Sequence, residues 1–243
     1  MRALLFAAGL GTRLRPLTDT MPKALVPVNG RPLLDITIQN LREAGIDDIV
    51  VNIHHFSQQI INHIALSDYG ISVRVSDETT QLLDTGGGLK KALNLLEGDD
   101  PILLHNVDIL SNAPLRRFCT ENAGNDVTLL VSHRDTQRYL LFDDTMQLVG
   151  WTNTTTGEVR SPYPDLIVDN CQKLAFAGIH LVRPGILRPL LAAYPERFPI
   201  MDFYLQNCHK IHIKGVEYDH LQLLDVGKQQ TLAAAETFLQ QLA

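Results

Sequence analysis

The sequence predicts an α/β fold, in which a mixed, mostly parallel β-sheet is flanked by helices. Two observations support this prediction. Short, continuous apolar runs alternate with amphipathic segments from the N-terminus to residue 132, a rhythm typical of β-α-β units. In addition, a loop rich in glycine, proline and cations follows the first apolar run, and ligands of such sheets bind beyond the carboxyl ends of the strands.

The first half of the chain contains five predicted strands, which are residues 3–7, 48–53, 71–76, 101–108 and 126–132. Four predicted helices separate them, and these are residues 31–45, 57–66, 86–97 and 113–123. The first helix has a proline near its start and Gly45 at its end, and Ser57 is a suitable N-cap for the second. The strands "ALLFA" and "DIVVNI" are apolar at consecutive positions, which indicates that helices cover both of their faces.

After residue 133 the pattern changes to strands joined by turns, with predicted strands at 138–143, 146–153 and 173–182. Helical segments return at 184–194 and 200–208, then a strand at 220–227 and a C-terminal helix within 227–243. We expect one domain spanning residues 1–243, in which 134–182 form a subregion that acts as a lid or wall on the sheet.

Composition excludes several classes of function. The chain has 243 residues and a net charge of -6, which argues against a nucleic-acid partner. Its three cysteines lack the CxxC spacing typical of zinc sites, and they fit thiols in a reducing compartment. No apolar run approaches the length of a membrane span, and the start lacks a signal peptide's apolar segment. We therefore expect a cytoplasmic protein without a membrane partner, and the sequence leaves its oligomeric state open.

The loop after the first strand predicts a polyphosphate site. Gly9 and Gly11 allow the backbone to approach a ligand closely and to direct its N–H groups at anionic oxygens. The planar guanidinium of Arg13 can clamp phosphate, and Lys23 provides a mobile positive charge after Pro22. The loop lacks the GxxxxGK[ST] pattern of a Walker A motif and the third glycine of a dinucleotide-binding motif.

A longer pattern around this loop resembles a known family. The stretch "LLFAAGLGTRLRPLT", followed by "PKALVPVNGRPLL", is similar to the signature of the sugar-phosphate nucleotidyltransferases, or nucleoside-diphosphate-sugar pyrophosphorylases. "LLDTGGGLKKAL" resembles the family's base-recognition segment, and "LLHNVDIL" and "LLDVG" resemble its two metal-binding strand ends. The resemblance implies a Rossmann-like fold of the nucleotide-diphospho-sugar transferase type. The reaction it implies is NTP plus sugar 1-phosphate giving NDP-sugar and pyrophosphate, with Mg²⁺ as cofactor.

The resemblance also implies roles for individual residues. Asp108 and Asp225 would ligate Mg²⁺, although an aspartate at a strand end also commonly caps the following turn. Arg13 and Lys23 would act on the phosphates, and together with Asp108 they form the expected catalytic group. The implied nucleotide-binding set is Ala7, Ala8, Gly9, Gly11, Thr12, Arg13, Lys23, Thr85, Gly86 and Asn106.

On the sugar side the resemblance is weaker. Gly178 matches a glycine that contacts the sugar in the family, and Trp151 is a candidate for stacking on a sugar face, although a lone tryptophan is more often core or rim. Leu140 occupies the place of a glycine that lines the sugar pocket in many members. The family's Glu-Lys pair, which holds the sugar and its phosphate, has no counterpart in "LVGWTNTTTGE".

The expected substrates are UTP and an N-acetylated hexosamine phosphate such as N-acetylmuramate 1-phosphate, because the "TGGG" variant and the short chain resemble that branch of the family. Three alternatives stay open: a guanylyltransferase for mannose or heptose 1-phosphate, a phosphocholine cytidylyltransferase, and a catalytically silent nucleotide-sugar sensor. The presence of both Asp108 and Asp225 favours an enzyme over a sensor, because a sensor has no need of metal carboxylates.

Overall fold

The computed structural model describes residues 1–242. The strands are β1 (Arg2–Phe6), β2 (Pro27–Val28), β3 (Arg31–Pro32), β4 (Asp48–Ile53), β5 (Ser72–Asp77), β6 (Ile102–Asn106), β7 (Ile109–Ser111), β8 (Val127–Ser132), β9 (Arg138–Phe142), β10 (Leu148–Asn153), β11 (Val159–Arg160), β12 (Gln172–Val182), β13 (Ile213–Val216) and β14 (Leu223–Asp225). The helices are α1 (Leu33–Glu43), α2 (Ser57–Leu66), α3 (Asp84–Ala92), α4 (Leu115–Glu121), α5 (Pro184–Leu191), α6 (Ile200–Asn207) and α7 (Gln229–Leu242).

The central sheet is mixed, and helices flank both of its faces, as predicted. Strands β6, β1, β4 and β5 are adjacent and parallel to their neighbours. Strand β12 then runs antiparallel to β6, and the sheet continues from β12 to β9, β10 and β11. Strands β8 and β13 form a second branch from β12 and are parallel to each other. The carboxyl ends of β1, β4 and β6 therefore meet at one edge of the sheet.

Two hydrophobic layers cover the faces of the sheet, and β1 contributes to both. Ala3 and Leu5 pack in the layer that contains Leu41 of α1, whereas Leu4 and Phe6 pack in the opposite layer. Successive side chains of a strand point to opposite faces, so a strand buried on both sides must be apolar at every position. This explains the uninterrupted apolar run in "RALLF".

The region after residue 133, predicted to act as a lid or wall, contributes strands to the sheet itself. Strands β9, β10 and β11 extend the central sheet by way of β12. The eleven-residue strand β12 joins the two parts, because its first residues pair with β9 and its last residues pair with β6. The sugar-side subregion predicted at 134–182 thus shares a continuous sheet with the first half of the chain.

Several predicted boundaries are corrected. The helix expected at 31–45 begins at Leu33, because residues 31–32 pair with residues 27–28 across a hairpin turn. The turn residues Asn29 and Gly30 both have positive φ, the conformation that favours an Asn-Gly sequence. The helix predicted at 86–97 is α3, which begins two residues earlier and ends at Ala92.

The C-terminal part contains two further corrections. The strand predicted at 220–227 is reduced to β14, which pairs with β7 in a separate two-stranded sheet. Strand β13 was not predicted, although its sequence "IKGV" pairs with β8 inside the central sheet. The C-terminal helix is α7, and the last residue of the predicted segment 227–243 lies outside the described residues. Within residues 1–242, no helix combines the length and the apolar character needed to cross a membrane.

Candidate active site

A cavity of about 210 Å³ lies at the carboxyl ends of β1, β4 and β6. It brings together seven of the residues singled out from the sequence, namely Ala7, Ala8, Gly9, Lys23, Thr85, Asn106 and Asp108. Its remaining lining consists of Phe6, Asn52, Glu78, Leu82, Asp84 and Val107. The cavity occupies the position where open α/β sheets bind their ligands.

Lys23 and Asp108 form an ion pair in this cavity. Pro22 is extended, and a short 3₁₀ turn begins directly after it at Lys23. Asp108 lies in the turn between β6 and β7. Only 12% of the Lys23 side chain and 17% of the Asp108 side chain are exposed. Each charged group is therefore largely removed from water, and the opposite charge of its partner compensates it.

Arg13 and Asp225 form a second, more exposed pair. The Arg13 Nη2 atom lies 4.0 Å from Asp225 Oδ2. The Gly227 N–H donates a hydrogen bond of 2.7 Å to Asp225 Oδ1. A Cβ atom at Gly227 would lie 2.5 Å from Asp225 Oδ1 and 2.7 Å from Arg13 Nη2. Glycine at this position therefore leaves room for the cation and the carboxylate to approach each other.

The two aspartates lie on neighbouring backbone segments. The Val226 N–H donates a 2.8 Å hydrogen bond to the Asp108 carbonyl oxygen, and Asp225 pairs with Ile109. Carboxylate oxygens are the ligands that Mg²⁺ prefers, with water and phosphate oxygens in its other positions. Within residues 1–242, no cluster of three or more His, Cys, Asp and Glu side chains is arranged to hold a metal. The donor set therefore fits a divalent cation that a bound polyphosphate also ligates.

Gly11 fixes the path of the loop that follows β1. It has a φ of +65°, and its carbonyl oxygen accepts a 2.8 Å hydrogen bond from the Thr18 hydroxyl. A Cβ atom here would lie 2.8 Å from Thr18 Cγ2 and 3.1 Å from Lys23 Cβ. The absence of a side chain at Gly11 thus lets the loop fold back against Lys23. Thr12 follows, and it is exposed at the start of the 3₁₀ turn that carries Arg13.

The "TGGG" segment is attached to the chain that precedes α6. The Thr85 hydroxyl oxygen accepts a 2.9 Å hydrogen bond from the Ile200 N–H. The Gly86 N–H donates to the Phe198 carbonyl oxygen at 2.9 Å, and a Cβ atom at Gly86 would overlap the Phe198 ring. Thr85 lines the cavity, whereas Gly86 does not line it and packs against Phe198.

Sequence reasoning missed Asn52 and Glu78. The Asn52 Oδ1 atom accepts hydrogen bonds from the Ala7 N–H at 2.7 Å and the Ala8 N–H at 3.2 Å. The Asn52 Nδ2 group donates to Glu78 Oε1 at 2.8 Å, and burial raises the pKa of the Glu78 carboxyl group. A signal was present, because Asn52 is a polar residue in the otherwise apolar end of "DIVVNI".

Of the two residues expected to contact a sugar, Gly178 lies against Asn106 of the cavity lining, and Trp151 does not line the cavity. Gly178 has a φ of +76°, and a Cβ atom there would lie 2.8 Å from Asn106 Nδ2. Trp151 is partly buried, and the guanidinium carbon of Arg160 lies 5.9 Å from its ring centroid. Leu140 is 2% exposed and packs in the core.

Residues 2–139 match a family model described as nucleotidyl transferase. The chain belongs to the nucleotidyl transferase family. It is 35% identical over 248 residues to an N-acetylmuramate alpha-1-phosphate uridylyltransferase from Caulobacter vibrioides, an alignment that covers 98% of this chain and 96% of the relative. It is also 33% identical over 140 residues to a mannose-1-phosphate guanyltransferase from Debaryomyces hansenii, covering 56% of this chain and 38% of the relative.

Solved structures share the fold of this nucleotidyltransferase. HddC from Yersinia pseudotuberculosis superimposes with a TM-score of 0.78 at 18% identity, covering 98% of this chain and 99% of the other. A UDP-glucose pyrophosphorylase, solved with UDP-glucose, also gives a TM-score of 0.78, at 15% identity and with 100% and 99% coverage. The predicted fold class and family are confirmed, and the chain is an enzyme of the sugar-1-phosphate nucleotidyltransferase kind.

The family model covers the phosphate loop and Asp108 but ends before the sugar side. Asp225, Trp151 and Gly178 all follow residue 139. The roles expected for these three residues stay predictions, as do those of Arg13, Lys23, Asp108 and the other residues of the nucleotide-binding set.

Proposed function

We propose that this enzyme transfers a uridylyl group from UTP to N-acetylmuramate 1-phosphate, or to a closely related N-acetylated hexosamine 1-phosphate, and releases pyrophosphate. The observation that carries the proposal is a pair of cation–carboxylate contacts on neighbouring backbone segments: Lys23 with Asp108 in the cavity, and Arg13 with Asp225 on the segment beside Asp108. The 35% identity to a uridylyltransferase along nearly the whole chain supports the choice of substrates.

The chemistry is a displacement at the α-phosphorus of the nucleotide. An oxygen of the sugar 1-phosphate forms a bond to this phosphorus, and the bond from the phosphorus to the oxygen that bridges to the β-phosphate breaks. The electron pair of the broken bond leaves with pyrophosphate. Two polyanions must meet in this step, so catalysis depends on positioning and on charge neutralisation.

The two cations have separate tasks in this proposal. Lys23 lies within the cavity and neutralises the α-phosphate and the incoming sugar phosphate. Arg13 is more exposed, and its planar guanidinium holds the β- and γ-phosphates that become the leaving group. Both contacts strengthen the binding of the transition state as negative charge moves onto pyrophosphate.

Asp108 and Asp225 would hold Mg²⁺ through their carboxylate oxygens, together with phosphate oxygens of the nucleotide. When bound, the ion would neutralise part of the phosphate charge. Lys23 and Arg13 place positive charge next to the same carboxylates, and these contacts orient Asp108 and Asp225.

The base is proposed to lie between Ala7, Ala8 and Gly9 on one wall and Thr85 on the other. The small residues allow a planar ring to approach the backbone. The N–H groups of Ala7 and Ala8 are occupied by Asn52, so the groups left for a base edge are carbonyl oxygens and the Gly9 backbone. Carbonyl oxygens suit a base that presents a ring N–H, as uracil does.

Three broader features belong to the same proposal. We propose that residues 1–243 act as one nucleotidyltransferase domain, with residues 134–182 on the sugar side. Gly178 would contact the sugar, since it adjoins Asn106. The enzyme is proposed to work in the cytoplasm, where its nucleoside triphosphate substrate is made.

The test is pyrophosphate release with Mg²⁺ across a grid of substrates. UTP, GTP, CTP and ATP are each combined with N-acetylmuramate 1-phosphate, N-acetylglucosamine 1-phosphate, mannose 1-phosphate, a heptose 1-phosphate and phosphocholine. We expect release with UTP and an N-acetylated hexosamine phosphate. Omission of Mg²⁺, with EDTA present, is expected to abolish the signal.

Other positive cells of the grid would overturn the choice of substrates. Release with GTP and mannose or heptose phosphate would establish a guanylyltransferase, the second candidate, which the Debaryomyces hansenii relative favours. Release with CTP and phosphocholine would establish a cytidylyltransferase. Silence throughout, in folded protein that binds nucleotide, would indicate a nucleotide-sugar sensor.

A further inference from the structure

Glu78 is a buried carboxylate whose two oxygens both accept hydrogen bonds from uncharged donors. Its Oε1 atom accepts from Asn52 Nδ2 at 2.8 Å, and its Oε2 atom accepts from the Leu83 N–H at 3.0 Å. The residue is 0% exposed and lines the candidate nucleotide cavity. A buried carboxylate without an ion-pair partner is energetically costly, so its presence at this place requires a reason.

The two donors belong to the two walls between which the base is proposed to lie. Asn52 reaches the first wall, because its Oδ1 atom holds the Ala7 and Ala8 N–H groups. Leu83 belongs to the second wall, since it directly precedes the lining residues Asp84 and Thr85. Glu78 therefore connects the walls, through the Asn52 side chain on one side and the Leu83 backbone N–H on the other.

Gly88 on α3 makes room for this connection. A Cβ atom at Gly88 would lie 2.8 Å from Asn52 Nδ2 and 2.8 Å from Glu78 Oε1. That separation is shorter than real Cβ contacts show, so a side chain at this position would push the two groups apart. The third glycine of "TGGG" thus serves the Asn52–Glu78 contact, whereas the first serves the packing against Phe198.

We propose that Asn52 and Glu78 form a clasp that fixes the distance between the two walls of the nucleotide cavity and thereby sets the enzyme's affinity for the nucleoside triphosphate. They are positioning residues, because they act through the backbone of Ala7, Ala8 and Leu83. The proposal rests on the proposed function in one respect, namely that this cavity takes the nucleotide.

Each single substitution in the clasp leaves a hydrogen-bonding group without a partner, whereas a double substitution can give every donor an acceptor. In Glu78→Gln, the new amide NH₂ must face either the Asn52 NH₂ or the Leu83 N–H. Two donors then face each other, and neither has an acceptor. In Asn52→Asp, a second carboxylate faces Glu78 Oε1, so two acceptors are opposed.

The double variant, Asn52→Asp with Glu78→Gln, reverses the direction of the hydrogen bond between the two side chains. The NH₂ group of the introduced glutamine donates to the introduced aspartate. The carboxylate at position 52 still accepts from the Ala7 and Ala8 N–H groups, and the amide oxygen at position 78 still accepts from the Leu83 N–H. Every donor of the clasp therefore keeps an acceptor.

The experiment measures the dissociation constant of Mg²⁺–UTP by titration calorimetry for the wild type, both single variants and the double variant. The KM for UTP and the KM for the sugar 1-phosphate are measured in parallel. Thermal unfolding of each variant reports whether it is folded. Asn207→Asp is the matched control, because Asn207 is also buried and donates to Phe203 and Tyr194 at 2.8 Å each, outside the lining of the cavity.

We expect each single variant to bind Mg²⁺–UTP about tenfold or more weakly, the effect of losing about 1.4 kcal/mol of binding free energy. The double variant should recover to within about threefold of the wild type, since all its donors find acceptors. The KM for the sugar phosphate should not change, and Asn207→Asp should lower stability without changing UTP binding.

Two outcomes would overturn the clasp. One is a double variant whose loss of UTP-binding free energy equals the sum of the losses in the two single variants. The other is single variants that, although destabilised, bind UTP like the wild type. The same titrations with Mg²⁺–GTP separate this failure from failure of the proposed function: a wild type that binds GTP but not UTP refutes the substrate assignment, and the comparison of variants on GTP then decides the clasp.

Discussion

Replacement of Gly11 by alanine should reduce both stability and turnover, through two separable effects. The first effect is conformational, since Gly11 has a φ of +65°. An L-residue in the left-handed region loses about 1–2 kcal/mol relative to glycine. The second effect is steric, because the new methyl group would lie 2.8 Å from Thr18 Cγ2 and 3.1 Å from Lys23 Cβ.

The steric effect should lower turnover more than the conformational effect does. Added methyl groups in packed regions destabilise by about 1–3 kcal/mol. Together with the conformational effect, this gives about 2–5 kcal/mol of lost unfolding free energy. Relief of the contact requires Thr18 or Lys23 to move, and Lys23 is paired with Asp108 in the cavity. A displacement near 1 Å in a catalytic group can reduce the rate on the order of 100-fold.

Gly30→Ala is the matched control for this prediction. Gly30 has a φ of +75°, but a Cβ atom there meets nothing within 4 Å. The control should therefore lose only about 1–2 kcal/mol and retain its kcat. Urea denaturation gives the stabilities, and pyrophosphate release under saturating substrates gives kcat. The reasoning is refuted if Gly11→Ala and Gly30→Ala show the same kcat.

Three further predictions concern the metal carboxylates, the α3 packing and acid stability. Asp108→Asn and Asp225→Asn should each lower kcat/KM by on the order of 100- to 1000-fold in the pyrophosphate assay, because each would remove a charged oxygen ligand. The melting temperature should change little for Asp225→Asn, whereas it should fall for Asp108→Asn because Lys23 loses its buried partner. Gly87→Ala should lower the unfolding free energy in urea by about 3 kcal/mol, because its Cβ would overlap the backbone oxygen of Glu196. Burial lowers the pKa of His180 to about 3, so the unfolded chain takes up a proton on this side chain at a higher pH than the folded chain does, and acid favours unfolding. Between pH 6.5 and 4, His180→Gln should therefore reduce the decrease in unfolding free energy by up to about 1.4 kcal/mol per pH unit.

Each of these predictions has a control elsewhere in the chain. Asp144→Asn removes an exposed carboxylate and should leave turnover unchanged. Gly124→Ala introduces a Cβ that meets nothing within 4 Å and should change stability by no more than about 0.5 kcal/mol. Gln58→Ala replaces an exposed side chain that has no titratable proton and should leave the pH dependence of stability as it is. A variant that behaves like its own control would contradict the corresponding prediction.

The sequence alone predicted the alternation of strands and helices, because this information is local. A strand buried on both faces must be apolar at each position, and a surface helix must repeat its apolar residues every three to four positions. These rules located β1, β4 and α2 closely. They failed for α1 at its start, where the Asn29-Gly30 turn, a known hairpin signal, was overlooked.

The sequence also singled out the loop after β1 and charged residues at the cavity. Gly11, Arg13 and Lys23 lie within one short segment, and their residue types predict a polyphosphate site. Asp108 and Asp225 were singled out as candidate metal ligands through the family resemblance, since an aspartate at a strand end is not distinctive by itself. The contact between Lys23 and Asp108, which are 85 positions apart, required the fold.

Only the tertiary structure decided what the glycines of "TGGG" and the polar residues Asn52 and Glu78 do. Gly86 is packed against Phe198, and Gly88 makes room for the Asn52–Glu78 contact. Local spacing encodes the periodicity of a helix or strand, whereas these contacts join segments that become neighbours only when the sheet assembles. For the same reason the sequence determined the fold class and predicted the chemistry proposed for the loop, whereas the structure shows which side chains join the segments around the cavity.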